Sequence, residues 1–206
     1  LDRAVKERLL IRNPADGCVV PKVQHQEMKT LQPEDLKAYL DAEERRNALA
    51  MFYLELVSGI RKGELVALRW EDLNVAEKTI SVSKQAVKDE TGNLVVTRPK
   101  TENSVRQISI PQEAVDLLIQ EHAKHPNNPW LFPSSRTGGM YHPDSVATLH
   151  QRILKDAGLE HLRFHDLRHT FVTLALQHGV DIKTVSAMLG HYDAGFTLRT
   201  YTHTTR

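Results

Sequence analysis

The sequence predicts an α+β fold that is mainly helical and carries one small three-stranded antiparallel sheet. Three observations lead there. Apolar residues recur at helical spacing through most of the 206 residues. The pattern changes to a period of two only between residues 79 and 110. Internal repeats and low-complexity tracts are absent, so one layered core is expected rather than an array.

The elements follow in order. Leu1 to Leu10 reads as a short amphipathic helix with Leu1, Val5 and Leu9 on one stripe; Asn13-Pro14 ends it and Pro21-Lys22 begins an irregular crossing. Gln32-Pro33-Glu34-Asp35 opens a helix, with proline in the first turn and acids near the positive end of the dipole. An apolar helix is expected over 46–57, stopped by Ser58-Gly59, and a short one over 61–70. Thr79–Ser83, Leu94–Thr97 and Val105–Ile110 read as a three-stranded meander, with Thr91-Gly92-Asn93 as turn chemistry and Lys100 on the second turn. Helices are expected again over 111–122, 144–157, 165–178 and 181–188, with loops at 126–129 and 133–139.

Composition excludes little. With 27 basic and 26 acidic residues the net charge is +1, which neither demands nor rules out nucleic acid, since a basic face can be offset elsewhere. The single Cys18 excludes an internal disulfide framework and suits a reducing, cytoplasmic setting. Runs of about 18 apolar residues are missing, so no membrane span is expected. The start at Leu1-Asp2-Arg3 lacks an initiating Met and a signal-peptide pattern, so a longer parent protein is expected.

Phosphate-seeking side chains gather at four places. Arg61 sits between Gly59 and Gly63 at a helix entry, where free backbone N–H groups favour an anion; Glu64 would hold its orientation. The plain alternative is a solvated Arg–Glu surface pair. Lys100 could be no more than a solvated turn charge, and Lys62, Lys84, Lys88 and Arg98 compete with it. His165 and Arg168, three apart on a helix, can face one phosphate, with Phe164 and Leu167 anchoring the turn and Asp166 satisfying the helix end. His161, His165 and His169 are spaced four apart, as a metal site would need. However, Gly158-Leu159 places His161 before the helix, and no carboxylate or Cys matches. Gly190 frees His191 from helical geometry, although a capped helix with a surface histidine would look the same. Tyr201 is the candidate nucleophile, with Tyr192 its rival; a phenol of pKa near 10 needs cationic neighbours to attack at neutral pH.

At these points the chain resembles the catalytic domain of tyrosine recombinases, the integrases of phages and transposons. The resemblance rests on Gly59-Ile60-Arg61-Lys62-Gly63-Glu64-Leu65, Lys100 to Ile110, His165-Asp166-Leu167-Arg168-His169, Leu189-Gly190-His191 and Tyr201, in that order. It spans roughly residues 26–203. One departure is that His191 and Tyr201 stand one residue further apart than is usual, with Gly195 between them to absorb it.

The resemblance implies the DNA breaking–rejoining catalytic core and a transesterification without metal, ATP or other cofactor. Arg61 and Arg168 would clamp the scissile phosphate, Tyr201 would attack it, His165 and His191 would assist, and Lys100 would protonate the leaving 5′ oxygen. His169 would support the site. Residues 1–22 would be the last helix and linker of an N-terminal core-binding domain, and residues 23–206 the catalytic domain. Implied partners are double-stranded DNA at specific recombination sites, three further copies in a homo-tetramer, and an excisionase; no membrane is implied. A Xer-type chromosome-dimer resolvase and a type IB topoisomerase share the constellation. A DNA-binding module that reads a groove without chemistry, and a metal-binding helical domain, are the readings from other classes.

Overall fold

The computed structural model describes residues 1–19, 29–99 and 105–190. Its helices are α1 (Asp2–Lys6), α2 (Leu36–Arg45), α3 (Leu49–Ser58), α4 (Lys62–Val66), α5 (Gln112–Ala123), α6 (Pro143–Ala157), α7 (Phe164–Gln177) and α8 (Ile182–Leu189). The strands are β1 (Leu73–Asn74), β2 (Thr79–Val82), β3 (Gln85–Lys88), β4 (Leu94–Thr97) and β5 (Arg106–Ser109). The expected class, mainly helical with a small three-stranded antiparallel sheet, is what is seen.

Membership of that sheet differs from the expected meander. Its order is β1-β2-β5, while β4 pairs with β3 in a separate two-stranded hairpin. The turn decides this. The Asp89 carboxylate accepts the backbone N–H of Thr91 at 2.9 Å and of Asn93 at 2.8 Å, folding β4 back onto the segment just before it. β2 is left to pair with β5, Ile80 opposite Ile108, both fully buried.

Three helices are shorter than expected. α1 ends at Lys6 because Arg8 takes a positive φ of 57°, and α1 buries no residue; Leu1 and Leu9 of the expected stripe are exposed. α3 starts at Leu49 because Asn47 stands at φ 53°, separating it from α2. α4 stops at Val66, beyond which Arg69 bridges to Trp130 and Trp70–Asp72 form a tight turn.

α3 is the centre of the molecule. Seven of its ten residues are buried, and it packs against α2, α5 and α7, with α6 lying across α2. Phe52 stands 6.0 Å from both His150 and Phe164, and full burial of such a ring is worth about 1.5–3 kcal/mol. His150 is itself fully buried, accepting from the Tyr39 hydroxyl through Nδ1 at 2.8 Å and donating from Nε2 to the Leu162 carbonyl at 3.0 Å. Burial lowers its pKa to about 4 and so favours the neutral ring, with the proton on Nε2 and the lone pair on Nδ1. A satellite cluster of Phe171, Val172, Val185 and Leu189 joins α7 to α8.

Candidate active site

Arg61 lies at the entry to α4, and both neighbouring glycines are needed for different reasons. Gly59 ends α3 in the left-handed region at φ 59°, and a Cβ there would meet the Phe171 ring at 2.5 Å. Gly63 has no special φ; its lack of a side chain lets the β3 backbone approach, since a Cβ would lie 2.9 Å from the Ala86 carbonyl oxygen. The Arg61 backbone N–H is not free for an anion, as the sequence suggested, because Glu64 accepts it at 3.0 Å. The same carboxylate accepts Arg61 Nη1 at 2.9 Å. Glu64 thus orients the arginine, whose side chain remains 39% exposed.

Glu64 has a second partner. Arg106 on β5 donates to both of its oxygens, at 3.1 and 2.8 Å. Burial alone would raise the Glu64 pKa, but the hydrogen bonds and charge of Arg106, followed by those of Arg61, hold it below the ordinary carboxylate value.

α7 supplies the second basic group. Asp166 accepts the Arg163 backbone N–H at 2.8 Å and its guanidinium at 2.8 and 3.1 Å, so it closes the helix entry as expected. Phe164 and Leu167 are buried and fix the first turn. The Arg168 side chain is buried, with Nη1 donating to the Gly59 carbonyl at 2.6 Å and Nη2 to the Leu189 carbonyl at 2.8 Å. Two helix C-termini, those of α3 and α8, therefore set its position, and a cation suits the negative end of each.

His165 is exposed at the mouth, yet desolvation by its crowded neighbours, and then the Arg168 charge, lower its pKa. His169 packs edge-on against it at 5.0 Å, and desolvation followed by His165 lowers its pKa to about 4. Both imidazoles are thus favoured in the neutral form before an anion enters. Arg61, His165 and Arg168 converge on one cleft of about 520 Å³, which Lys62, His161 and Arg163 also line. Its floor includes Glu55, a fully buried carboxyl without a hydrogen-bond partner for either oxygen. Burial holds its pKa well above the usual range, with the Arg168 charge opposing.

The structure brings together three of the six sequence-predicted residues. Lys100, His191 and Tyr201, with the rival Tyr192, lie outside the described residues. Among the competing cations, Lys84 is paired with Glu71 at 2.8 Å and Asp72 at 3.0 Å, while Lys62 and Lys88 face Asp144 at 3.6 and 3.7 Å. Among the described residues, no three His, Cys, Asp or Glu side chains gather as a metal site. Sequence reasoning missed Arg106, which reads as one more polar residue of an alternating strand, and Glu55, hidden in an apolar run.

A profile of the Phage integrase family matches residues 27–206. A tyrosine recombinase XerC-like protein of Caldanaerobacter subterraneus subsp. tengcongensis is 30% identical, the match covering 97% of this chain and 58% of that protein. The ICEBs1 integrase of Bacillus subtilis is also 30% identical, over 98% of this chain and 58% of the relative. The chain therefore spans little more than half the length of these curated relatives. Among solved structures, the Tn1549 transposon integrase in complex with a circular intermediate DNA superposes with a TM-score of 0.82 at 22% identity, covering 98% of this chain and 71% of that one. The XerA recombinase superposes at 0.72 with 25% identity, over 90% and 62%.

Proposed function

Because this chain belongs to the Phage integrase family, we propose that it is the catalytic part of a site-specific DNA recombinase that integrates and excises a mobile element. The observation that carries this reading is the convergence of Arg61, His165 and Arg168 on one cleft, from elements far apart in sequence. Two guanidinium groups, one half-exposed and one fixed by two carbonyls, suit a phosphodiester whose charge grows during attack.

In the mechanism, Arg61 and Arg168 stabilise the non-bridging oxygens. The Tyr201 oxygen attacks phosphorus as its proton passes to a neighbouring base, and the bond to the 5′ oxygen breaks. The products are a 3′-phosphotyrosyl link and a 5′-hydroxyl whose proton comes from Lys100. His165 and His191 donate N–H groups to the phosphate. Attack by a partner strand's 5′-hydroxyl reverses the step and releases Tyr201, so no external energy source is consumed. His165, favoured neutral by desolvation and the Arg168 charge, gains affinity for a proton once a phosphate anion neutralises the charge beside it.

Residues 1–22 are read as the end of a core-binding domain and residues 23–206 as the catalytic domain. The working assembly is a homo-tetramer on two DNA duplexes in the cytoplasm, with an excisionase as accessory partner. Among the described residues no helix is long and apolar enough to cross a membrane. Covalent trapping tests the reading. The intact protein is incubated in EDTA with a library of nicked duplexes whose cut end diffuses away, beside a Tyr201→Phe control. A denaturation-resistant protein–DNA band that vanishes in the control supports it; a band that needs a divalent metal, or persists in the control, overturns it.

A further inference from the structure

The contacts around the cleft form a closed ring, and two of its side chains, Glu64 and Arg106, take no part in the mechanism above. Arg61 is held by Glu64 at 2.9 Å, and Glu64 by Arg106 at 2.8 Å. Arg106 Nε then donates to the Met188 carbonyl at 2.5 Å, and the next carbonyl along, that of Leu189, accepts Arg168. Arg168 returns to Gly59, two residues before Arg61. Both guanidinium groups on the α8 carbonyls are thus placed at the negative end of that helix, immediately before Gly190 at φ 66° and, in sequence, His191.

We propose that Arg106 is a positioning residue for DNA cleavage: through Glu64 it fixes Arg61, and through Met188 it fixes the end of α8 against the same group. This inference rests on the recombinase reading. Its physical basis is competition for Glu64. That carboxylate is 2% exposed and has two guanidinium partners, of which Arg106 is 6% exposed and Arg61 39%. While Arg106 engages both oxygens, Arg61 gives Glu64 its backbone N–H and a single guanidinium nitrogen, and its side chain still lines the cleft. Without Arg106 the buried carboxylate has only Arg61 to neutralise it, and the fork is drawn off the phosphate. A lysine cannot replace Arg106, because one ammonium cannot span both carboxylate oxygens and a carbonyl in a planar fork.

The test uses the intact protein and a nicked duplex recovered from the trapping library. Single-turnover cleavage at saturating DNA, DNA affinity and thermal melting are measured for wild type, Arg106→Ala, Arg106→Lys and the double variant Arg106→Ala/Glu64→Gln. A misplaced phosphate clamp costs about 10²-fold, so Arg106→Ala is expected to cleave about that much more slowly while DNA affinity changes by less than about threefold. Arg106→Lys recovers only part of the rate. The double variant cleaves faster than Arg106→Ala, because neutralising Glu64 releases Arg61; a purely structural role gives no such recovery. If wild type cleaves but Arg106→Ala cleaves equally fast, or the double variant fails to recover, the inference is overturned while the recombinase reading stands. If wild type forms no Tyr201-dependent adduct with the library, that reading fails and the inference with it.

Discussion

Acid should destabilise this protein through His150, and the size of the effect follows from its surroundings. The ring is fully buried, and its neutral form donates from Nε2 to the Leu162 carbonyl and accepts at Nδ1 from Tyr39, so a second ring proton would turn the Tyr39 hydroxyl from donor to acceptor and place a charge beside Phe52 and Phe164. Its pKa is about 4 in the folded protein against an ordinary 6.5. Between these values the unfolded chain binds the proton and the folded chain does not, so stability falls as pH drops below 6.5 and the loss is complete near 4. From pH 7 to pH 5 the linkage relation gives a loss of about 2 kcal/mol, or roughly 4–8 °C in Tm for a domain of this size. The perturbation is His150→Gln, whose amide can accept from Tyr39 and donate to Leu162 but does not titrate. Urea unfolding of both proteins at pH 7 and pH 5 gives the difference of differences. His169, also lowered to about 4, contributes the same slope to both proteins and cancels. If the variant loses stability as steeply as wild type, His150 is not the proton acceptor and the neutral, buried ring is wrong.

Glu55, buried without a hydrogen-bond partner, keeps its proton at pH values where the unfolded chain has lost it. Glu55→Gln should therefore raise Tm at pH 7, with the gain vanishing at pH 4 and below; an equal change at both pH values would contradict a protonated acid. Gly63→Ala puts a methyl 2.9 Å from the Ala86 carbonyl and should cost about 1–3 kcal/mol, measured by chemical denaturation. Gly59→Ala adds left-handed strain to a clash with Phe171 and should cost more than Gly63→Ala; the reverse order would count against the packing described. Arg168→Lys cannot reach both the Gly59 and Leu189 carbonyls, so trapped adduct should form about 10²-fold more slowly or worse, and a rate near wild type would remove Arg168 from the clamp.

Much of the site could be read along the chain because its chemistry is local. The Arg61–Glu64 pair and the Arg163–Asp166 closure each span one helical turn, a distance at which spacing alone predicts contact. His165 and Arg168 share a helix face for the same reason. The meander failed on a non-local choice: three alternating strands can pair in more than one order, and only the Asp89 turn and the burial of Ile80 against Ile108 select the pairing seen. Along the sequence Gly63 only marks a helix entry beside Arg61, but the reason for it is the β3 backbone, which approaches from more than 20 residues away.

The sequence by itself determined the helical class, the periodic core, the order of the motifs and the residue types able to grip a phosphate, since these depend on spacing within a turn or two. Only the tertiary structure decided which buried groups lie together. Arg106 meets Glu64 across 42 residues and Arg168 meets Gly59 across 109. A guanidinium or carboxylate can be buried only where a distant partner or backbone carbonyl offsets the loss of water. Those partners are chosen by how α3, α7, α8 and the sheet pack, and no local pattern in the chain encodes that choice.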